Sequence, residues 1–147
     1  MFERILVPTD GSWGSSDAVA KAVGLAADYD ATLEVLSVVD SDVYGAYSGD
    51  EYVHEHEGLE EGLEVAAEDA VADVAAAAAE RDVAAETTVK HGTPHEVIVD
   101  HAAETGADLV VMGSKERSDE YRHFVGSVTQ RVLEMSSTPL LVVKSSE

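Results

Sequence analysis

The chain has 147 residues, no cysteine, and 30 acidic against 9 basic side chains, a net charge of −21. This length predicts a single domain, 1–147, that can bury a core without a disulfide or a metal ion. The lack of cysteine excludes thiol redox chemistry and cysteine-based zinc sites. The acidic balance argues against nucleic-acid binding, which needs Lys and Arg to displace counterions from phosphates.

The high charge does not indicate disorder, because 45% of the residues are hydrophobic and they are strongly patterned. We therefore expect a folded protein with an acidic surface, as in halophiles. No apolar run approaches the roughly 18 residues of a transmembrane helix, and the first residues show no signal-peptide pattern. The expected location is cytoplasmic, with no membrane partner.

Strand and helix patterns alternate along the chain. Strands are predicted at 4–9, 31–39, 84–91, 107–112 and 139–143, and helices at 15–28, 59–81, 94–105 and 125–135. The polar stretch 40–57 is predicted to be a loop, and the polar third strand is predicted to lie at a sheet edge. Thr93, Pro94 and Glu96 predict a capping box with proline in the first turn, and Gly106 predicts the end of that helix.

Alternation of strands with helical crossovers predicts a parallel sheet that is covered on both faces. In such sheets, ligands bind beyond the carboxyl ends of the strands, where neighbouring crossovers leave in opposite directions. The most polar loops in such positions are "PTDGSWGSS" after the first strand and "MGSKERSDEYRHFVGS" after the fourth. These two loops are therefore the candidate ligand-binding segments.

The loop after the fourth strand has the features of an anion site. Gly126 and Ser127 open the last helix, whose free N–H groups and dipole favour negative charge. The loop also holds Lys115, Arg117 and Arg122, three of the nine basic residues. These features predict a phosphate ligand, although Ser127 to Gln130 also matches a simple capping box.

Other polar residues have two interpretations each. Asp10 suits hydrogen bonds from ribose hydroxyls, but also an Asx-turn or a helix cap. The His54-Glu55-His56 stretch could hold a metal, although alternating His and Glu are more typical of a solvated surface. Tyr44, Tyr47 and Tyr52 could cover a ligand or pack on their own helix.

The sequence shows no motif for nucleophilic catalysis or for the common phosphate-binding loops. The G-x-S-x-G elbow is missing around Ser12, Ser15 and Ser16, so these serines are interpreted as turn and cap residues. No Walker or Rossmann glycine motif is present.

Three segments together resemble the universal stress protein family over the whole chain: "ILVPTDGS", "HGTPHEVIVDHAAETGADLVVMGS" and "VGSVTQRVLEMSSTPLLVV". The resemblance implies an α/β fold of the Rossmann-like, adenine nucleotide alpha hydrolase-like type. Its five parallel strands would have the order 3-2-1-4-5, with helices on both faces. It also implies a stress-response or signalling role and a homodimer joined through the last strand, 139–143.

ATP-binding members of that family carry G-x-x-G, nine residues, then G-[ST]. Gly113 and Gly126-Ser127 stand in register with that pattern, whereas Glu116 replaces its second glycine. The resemblance implies ATP or AMP as ligand, with accompanying Mg²⁺ left open. The implied nucleotide-binding residues are Pro8, Thr9, Asp10, Val39, Met112, Gly113, Lys115, Arg117, Arg122, Gly126, Ser127, Val128 and Thr129.

Glu116 leaves two functional hypotheses. A carboxylate about 5 Å from a phosphate charge would repel it by roughly 3 kcal/mol at an effective dielectric of about 20. One hypothesis is therefore a nucleotide-binding module, and the alternative is a nucleotide-free dimeric adaptor in which Glu116 blocks triphosphate binding. No catalytic residue is assigned, and the family implies slow ATP hydrolysis at most.

Overall fold

The structure, a computed structural model, describes residues 2–9, 15–40, 53–114 and 127–144, with side chains for all of these except 15, 53–60 and 127. The elements in chain order are β1 (Arg4–Pro8), α1 (Ser15–Tyr29), β2 (Thr32–Asp40), α2 (Val53–Glu80), β3 (Ala85–Gly92), α3 (Pro94–Thr105), β4 (Leu109–Gly113), α4 (Ser127–Met135) and β5 (Leu140–Val143).

Eight of these nine elements begin and end within two residues of their predicted bounds, and α2 differs. It begins at Val53, so the prediction of a loop as far as residue 57 is wrong, and His54, Glu55 and His56 lie within a helix. The added segment is polar and has no apolar stripe, so hydrophobic periodicity could not reveal it. Its glutamates are good helix formers and suit the positive end of the helix dipole.

The five strands form one parallel sheet in the order β3-β2-β1-β4-β5, which confirms the expected topology. The polar strand β3 lies at one edge and β5 at the other. The central strand β1 pairs with both β2 and β4, with Pro8 opposite Leu36 and Leu6 opposite Val110. The end of β1 is therefore flanked by two neighbouring strand ends.

Side chains alternate between the two faces of the sheet, and each face is covered by two helices. Ile5 and Val7 point to a core formed with α1 and α2. Leu6 and Val110 point to a second core formed with α3 and α4, in which Ile98 is also buried. The helices that follow β1 and β4 thus cover opposite faces.

The ends of α3 follow the predicted signals in part. Gly106 adopts a left-handed conformation with φ of +70°, which confirms the expected C-terminal glycine. Thr93 is the N-cap residue, but its side chain makes no capping hydrogen bond, so the predicted capping box is wrong on this point. The first turn is instead closed by the Val97 N–H, which donates to the Thr93 carbonyl at 3.0 Å, while Pro94 has no N–H to satisfy.

Among the described helices, none combines the length and the apolar composition needed to cross a membrane.

Candidate functional site

The carboxyl ends of β1 and β4 form the topological switch point of the sheet. These strands are neighbours, yet the helix after β1 covers one face and the helix after β4 covers the other. Adjacent chains that leave in opposite directions open a crevice at the strand ends, which is where open α/β sheets bind ligands. The residues that follow these strands are therefore the candidate site.

The β1 side of the switch point is apolar and tightly held. Thr9 directly follows the strand, is buried, and donates its N–H to the Leu36 carbonyl at 2.7 Å. Pro8 is buried beside it, and Val39, near the end of β2, is only 3% exposed. These buried residues make the β1 side of the switch point apolar.

The β4 side joins the strand end to the start of α4. Met112 and Gly113 are buried at the end of β4. The hydroxyl of Thr129 donates to the Gly113 carbonyl at 2.9 Å, and Thr129 itself is 1% exposed. Ser114 N–H donates to the Val143 carbonyl at 2.9 Å, which ties the same strand end to β5. The first turn of α4 is thereby fixed against β4.

This placement puts the start of α4 next to the switch point. The helix begins at Ser127, and the first N–H groups of an α-helix have no partner within the helix. Together with the positive end of the dipole, such groups bind anions. An anion bound there would lie close to Gly113, which has no side chain of its own.

The structure places the predicted residues in two groups. Three strand ends and the first turn of α4 bring together Pro8, Thr9, Val39, Met112, Gly113, Val128 and Thr129. Ser127 begins α4, although its side chain is not described. The remaining predicted contacts lie outside the described residues: Asp10, Lys115, Arg117, Arg122 and Gly126. The same is true of Glu116 and of three tyrosines in the loop after β2, Tyr44, Tyr47 and Tyr52.

A groove of about 520 Å³ also adjoins Thr9, but it runs between α1 and α2. Its walls are mainly apolar, with Val19 and Val23 from α1 and Val74 from α2. Met112, which points to the core on the opposite face, belongs to the other side of the sheet. The groove therefore lies on one face of the sheet and shares Thr9 with the switch point, which is bordered by residues of both faces.

Sequence reasoning missed a polar layer between α3 and the sheet. Glu34 on β2 is 3% exposed, and one of its carboxylate oxygens accepts a hydrogen bond from Arg4. Arg4 also donates to Glu86 on β3 at 3.0 Å. Burial, and then the neighbouring Glu86, raise the pKa of Glu34. The sequence holds one sign of this layer, the charged Glu34 inside the apolar run "ATLEVLSVV". Hydrophobic periodicity alone counts that residue as an ordinary polar position of a strand.

Comparisons with known proteins agree over nearly the whole chain. The model of the Universal stress protein family matches residues 1–144. Universal stress protein YxiE of Bacillus subtilis (strain 168) is 35% identical over 153 aligned positions, which cover 98% of this chain and 100% of YxiE. The structure of universal stress protein UspA from Lactobacillus plantarum is 28% identical, covers 97% of each chain and has a TM-score of 0.85. A universal stress protein in complex with cAMP is 27% identical, covers 99% of this chain and 98% of its own, and has a TM-score of 0.66.

Proposed function

This chain belongs to the universal stress protein family, and on that premise we propose that it binds an adenine nucleotide, AMP or ATP, at the switch point between β1 and β4. The observation that carries the proposal is the bond between Thr129 and Gly113. It holds the start of α4 beside the end of β4, where buried apolar groups and an anion-binding helix end meet.

Each part of the ligand has a suitable partner in this proposal. Val39 and Met112 offer apolar contact to the adenine base. Asp10 accepts hydrogen bonds from the ribose hydroxyls, and the N–H groups at the start of α4 hold the phosphate. The basic residues of the loop after β4 add positive charge for further phosphates: Lys115, Arg117 and Arg122.

A related structure supports the choice of nucleotide. The universal stress protein in complex with cAMP shares 27% identity and aligns with a TM-score of 0.66 over 99% of this chain. Its ligand combines adenine, ribose and one phosphate, the same three parts that the switch point can accommodate. We therefore propose a nucleotide-binding stress-response or signalling module that acts by holding its ligand.

The proposal is tested by what the purified protein carries and takes up. Denaturation of the protein, followed by chromatography of the supernatant, should release an adenine nucleotide. If the protein is purified empty, calorimetric titration should show saturable binding of AMP, and GMP should bind more weakly. A protein that is purified empty and binds neither AMP nor ATP would contradict the proposal.

Glu116 favours a second candidate function. It stands where the ATP-binding pattern of the family has a glycine, and its negative charge would oppose a triphosphate. In this alternative the protein keeps the fold and acts as a nucleotide-free dimeric adaptor. The absence of nucleotide binding at any salt concentration, together with a stable dimer, would support it.

For either function we propose a homodimer through β5. This strand is an edge of the described sheet, and its four residues are only half-buried. An unpaired apolar edge favours pairing with another chain, and a second copy is the partner with a matching edge. Sedimentation equilibrium should give about twice the chain mass of 15.5 kDa. A monomer at micromolar concentration would contradict this assembly.

A further inference from the structure

The polar layer between α3 and the sheet contains a buried histidine. His101 of α3 is 5% exposed, and neither of its ring nitrogens has a hydrogen-bond partner among the described residues. Its Nε2 lies 3.9 Å from Oε1 of Glu34, and the other oxygen of Glu34 is the one that contacts Arg4. The imidazole thus faces a buried carboxylate oxygen across a gap slightly longer than a hydrogen bond.

We propose that His101 and Glu34 form a buried proton-binding pair, in which the Glu34 carboxylate stabilises a proton that the imidazole takes up as the pH falls. Protonation makes Nε2 a donor towards Oε1, and a displacement of about 1 Å would give a normal charge-assisted hydrogen bond. Since the pair lies between α3 and β2, the packing of this helix on the sheet becomes sensitive to pH.

The charges around the pair favour one additional proton. The layer contains two cations, Arg4 and Lys90, and three carboxylates, those of Glu34, Glu86 and Glu104. With Glu34 ionised and His101 neutral, the layer has one more negative than positive charge, and the carboxylates of Glu86 and Glu104 are more than half exposed to water. An imidazolium at His101 balances that charge, and buried charges are tolerated when they are paired in this way.

Two influences hold the histidine neutral until the solution is acidic. Burial first, and then the nearby Lys90, lower the pKa of His101, whereas Glu104 raises it. Lys90 is paired with Glu104 at 2.8 Å, which limits its effect on the ring. The imidazole therefore takes up its proton below its ordinary pKa of 6.5.

Other charged groups on the elements around α3 are exposed, distant along a strand, or in contact with another element. On α4, Arg131 and Glu134 are exposed. On β2, Asp40 is six residues beyond Glu34, roughly 20 Å along the strand. On β3, His91 contacts Glu64 of α2 at 3.2 Å, and on α3 itself Asp100 is exposed.

Three further ionisable residues complete the surroundings. His95 and Glu96 lie in the first turn of α3, at the opposite end of the helix from Glu104. Asp108, just before β4, accepts hydrogen bonds from the N–H groups of Glu3 and Arg4, so its carboxylate is directed to the backbone.

The pair is also distinct from the proposed nucleotide site. Arg4 and Glu34 lie near the amino ends of β1 and β2, whereas the nucleotide site lies at the carboxyl ends. Pro8 is four residue steps along β1 from Arg4, a distance of roughly 13 Å. Changes at the pair can therefore be read without altering the proposed nucleotide contacts.

The test is a pH titration of the histidine rings by NMR in 1 M KCl, where a Debye length of about 3 Å screens the distant carboxylates. Glu34→Gln should lower the titration midpoint of His101 by about one pH unit, because an opposite charge at this range is lost. Lys90→Met should raise the midpoint. As matched control, Glu64→Gln removes a carboxylate beside His91 and should leave His101 unchanged.

A second measurement covers the case in which Glu34→Gln does not fold. In the wild-type protein, the ¹³C signal of the Glu34 carboxyl group should shift at the same pH midpoint as the His101 ring. An unchanged His101 midpoint in Glu34→Gln, or a Glu34 carboxyl signal that does not respond at the His101 midpoint, would overturn the proposal.

Discussion

The hydroxyl of Thr129 donates a hydrogen bond to the carbonyl oxygen of Gly113 across 2.9 Å, in a position that is shielded from water. The bond joins the first turn of α4 to the end of β4. The hydroxyl hydrogen of Thr129 is thereby used within the protein, and this side chain positions the start of α4. The first N–H groups of α4 are a separate set of donors that can bind an anion.

Thr129→Val keeps the side-chain shape but removes the donor. The Gly113 carbonyl then loses a buried partner, and we expect the free energy of unfolding to fall by about 1–3 kcal/mol. Thr105→Val is the matched control, because the Thr105 hydroxyl bonds to the His101 carbonyl at 2.8 Å in a half-buried position that water can reach. Urea unfolding should show a clearly smaller loss for the control, and equal losses would contradict the role of the buried bond.

Two glycines should respond in opposite directions to the same substitution. Gly24 lies within α1 with open space around it, so Gly24→Ala should raise the free energy of unfolding by about 0.5–1 kcal/mol. Gly92 has φ of +149°, and an added Cβ would lie 2.8 Å from Cγ2 of Val97. Gly92→Ala should therefore lower the free energy of unfolding by about 1–3 kcal/mol. Thermal melts of both variants measure these changes. An unchanged stability of Gly92→Ala would show that the end of β3 readily adjusts.

The stability of the protein should depend on His101 between neutral and mildly acidic pH. The unfolded chain takes up a proton near pH 6.5, whereas the folded chain, in which the pKa of His101 is lowered, takes it up only at lower pH. Unfolding then binds a proton, so the free energy of unfolding falls as the pH drops from above 6.5 towards the folded pKa. Each pH unit between these two values costs about 1.4 kcal/mol.

Comparison with His101→Leu isolates that contribution. The raised pKa of Glu34 acts in the opposite sense, because protonation of Glu34 relieves a cost of burial as the pH falls. Urea unfolding at pH 7.5, 6.5 and 5.5, at one protein concentration, should show a shallower decline for the variant. Identical declines in the two proteins would mean that His101 does not couple folding to pH.

Glu116, which lies outside the described residues, should discriminate between nucleotides. If it lies near the β- and γ-phosphates, Glu116→Gly should tighten ATP binding by about 1–3 kcal/mol at low salt, since a repulsive charge is removed. AMP places no charge there and should be affected little. Molar salt should reduce the gain for ATP. Calorimetry with both nucleotides measures this, and equal ATP affinity in the two proteins would place the Glu116 charge away from the phosphates.

The alternating patterns predicted the sheet and its helices because the central strands and most helices bury a continuous apolar face. Leu6 and Val7, for example, point to opposite cores, which a parallel strand buried on both sides requires. The start of α2 was not predictable in this way, because "HEHEG" contains no apolar side chain that could show a helical period. The switch point followed from topology together with the motif around Gly113.

The polar layer beneath α3 could not be predicted from local patterns. Glu34 and His101 are 67 residues apart in the sequence, and only the folding of α3 onto β2 brings them within 3.9 Å. Within its own segment, Glu34 is an ordinary polar residue of a strand. His101 is likewise one residue on a helix face that combines polar and apolar side chains. Their burial together depends on tertiary packing, which single-sequence periodicity does not contain.

The most direct test of nucleotide binding at the switch point uses the methyl groups of methionine. The chain has three methionines, of which Met112 is 1% exposed at the proposed site and Met135 is 52% exposed at the end of α4. In protein labelled with ¹³C-methyl methionine and freed of nucleotide, AMP should shift the Met112 signal saturably and leave Met135 almost unchanged. Saturation without any shift of Met112, or no response of any methionine to either AMP or ATP, would contradict a nucleotide site at the ends of β1 and β4.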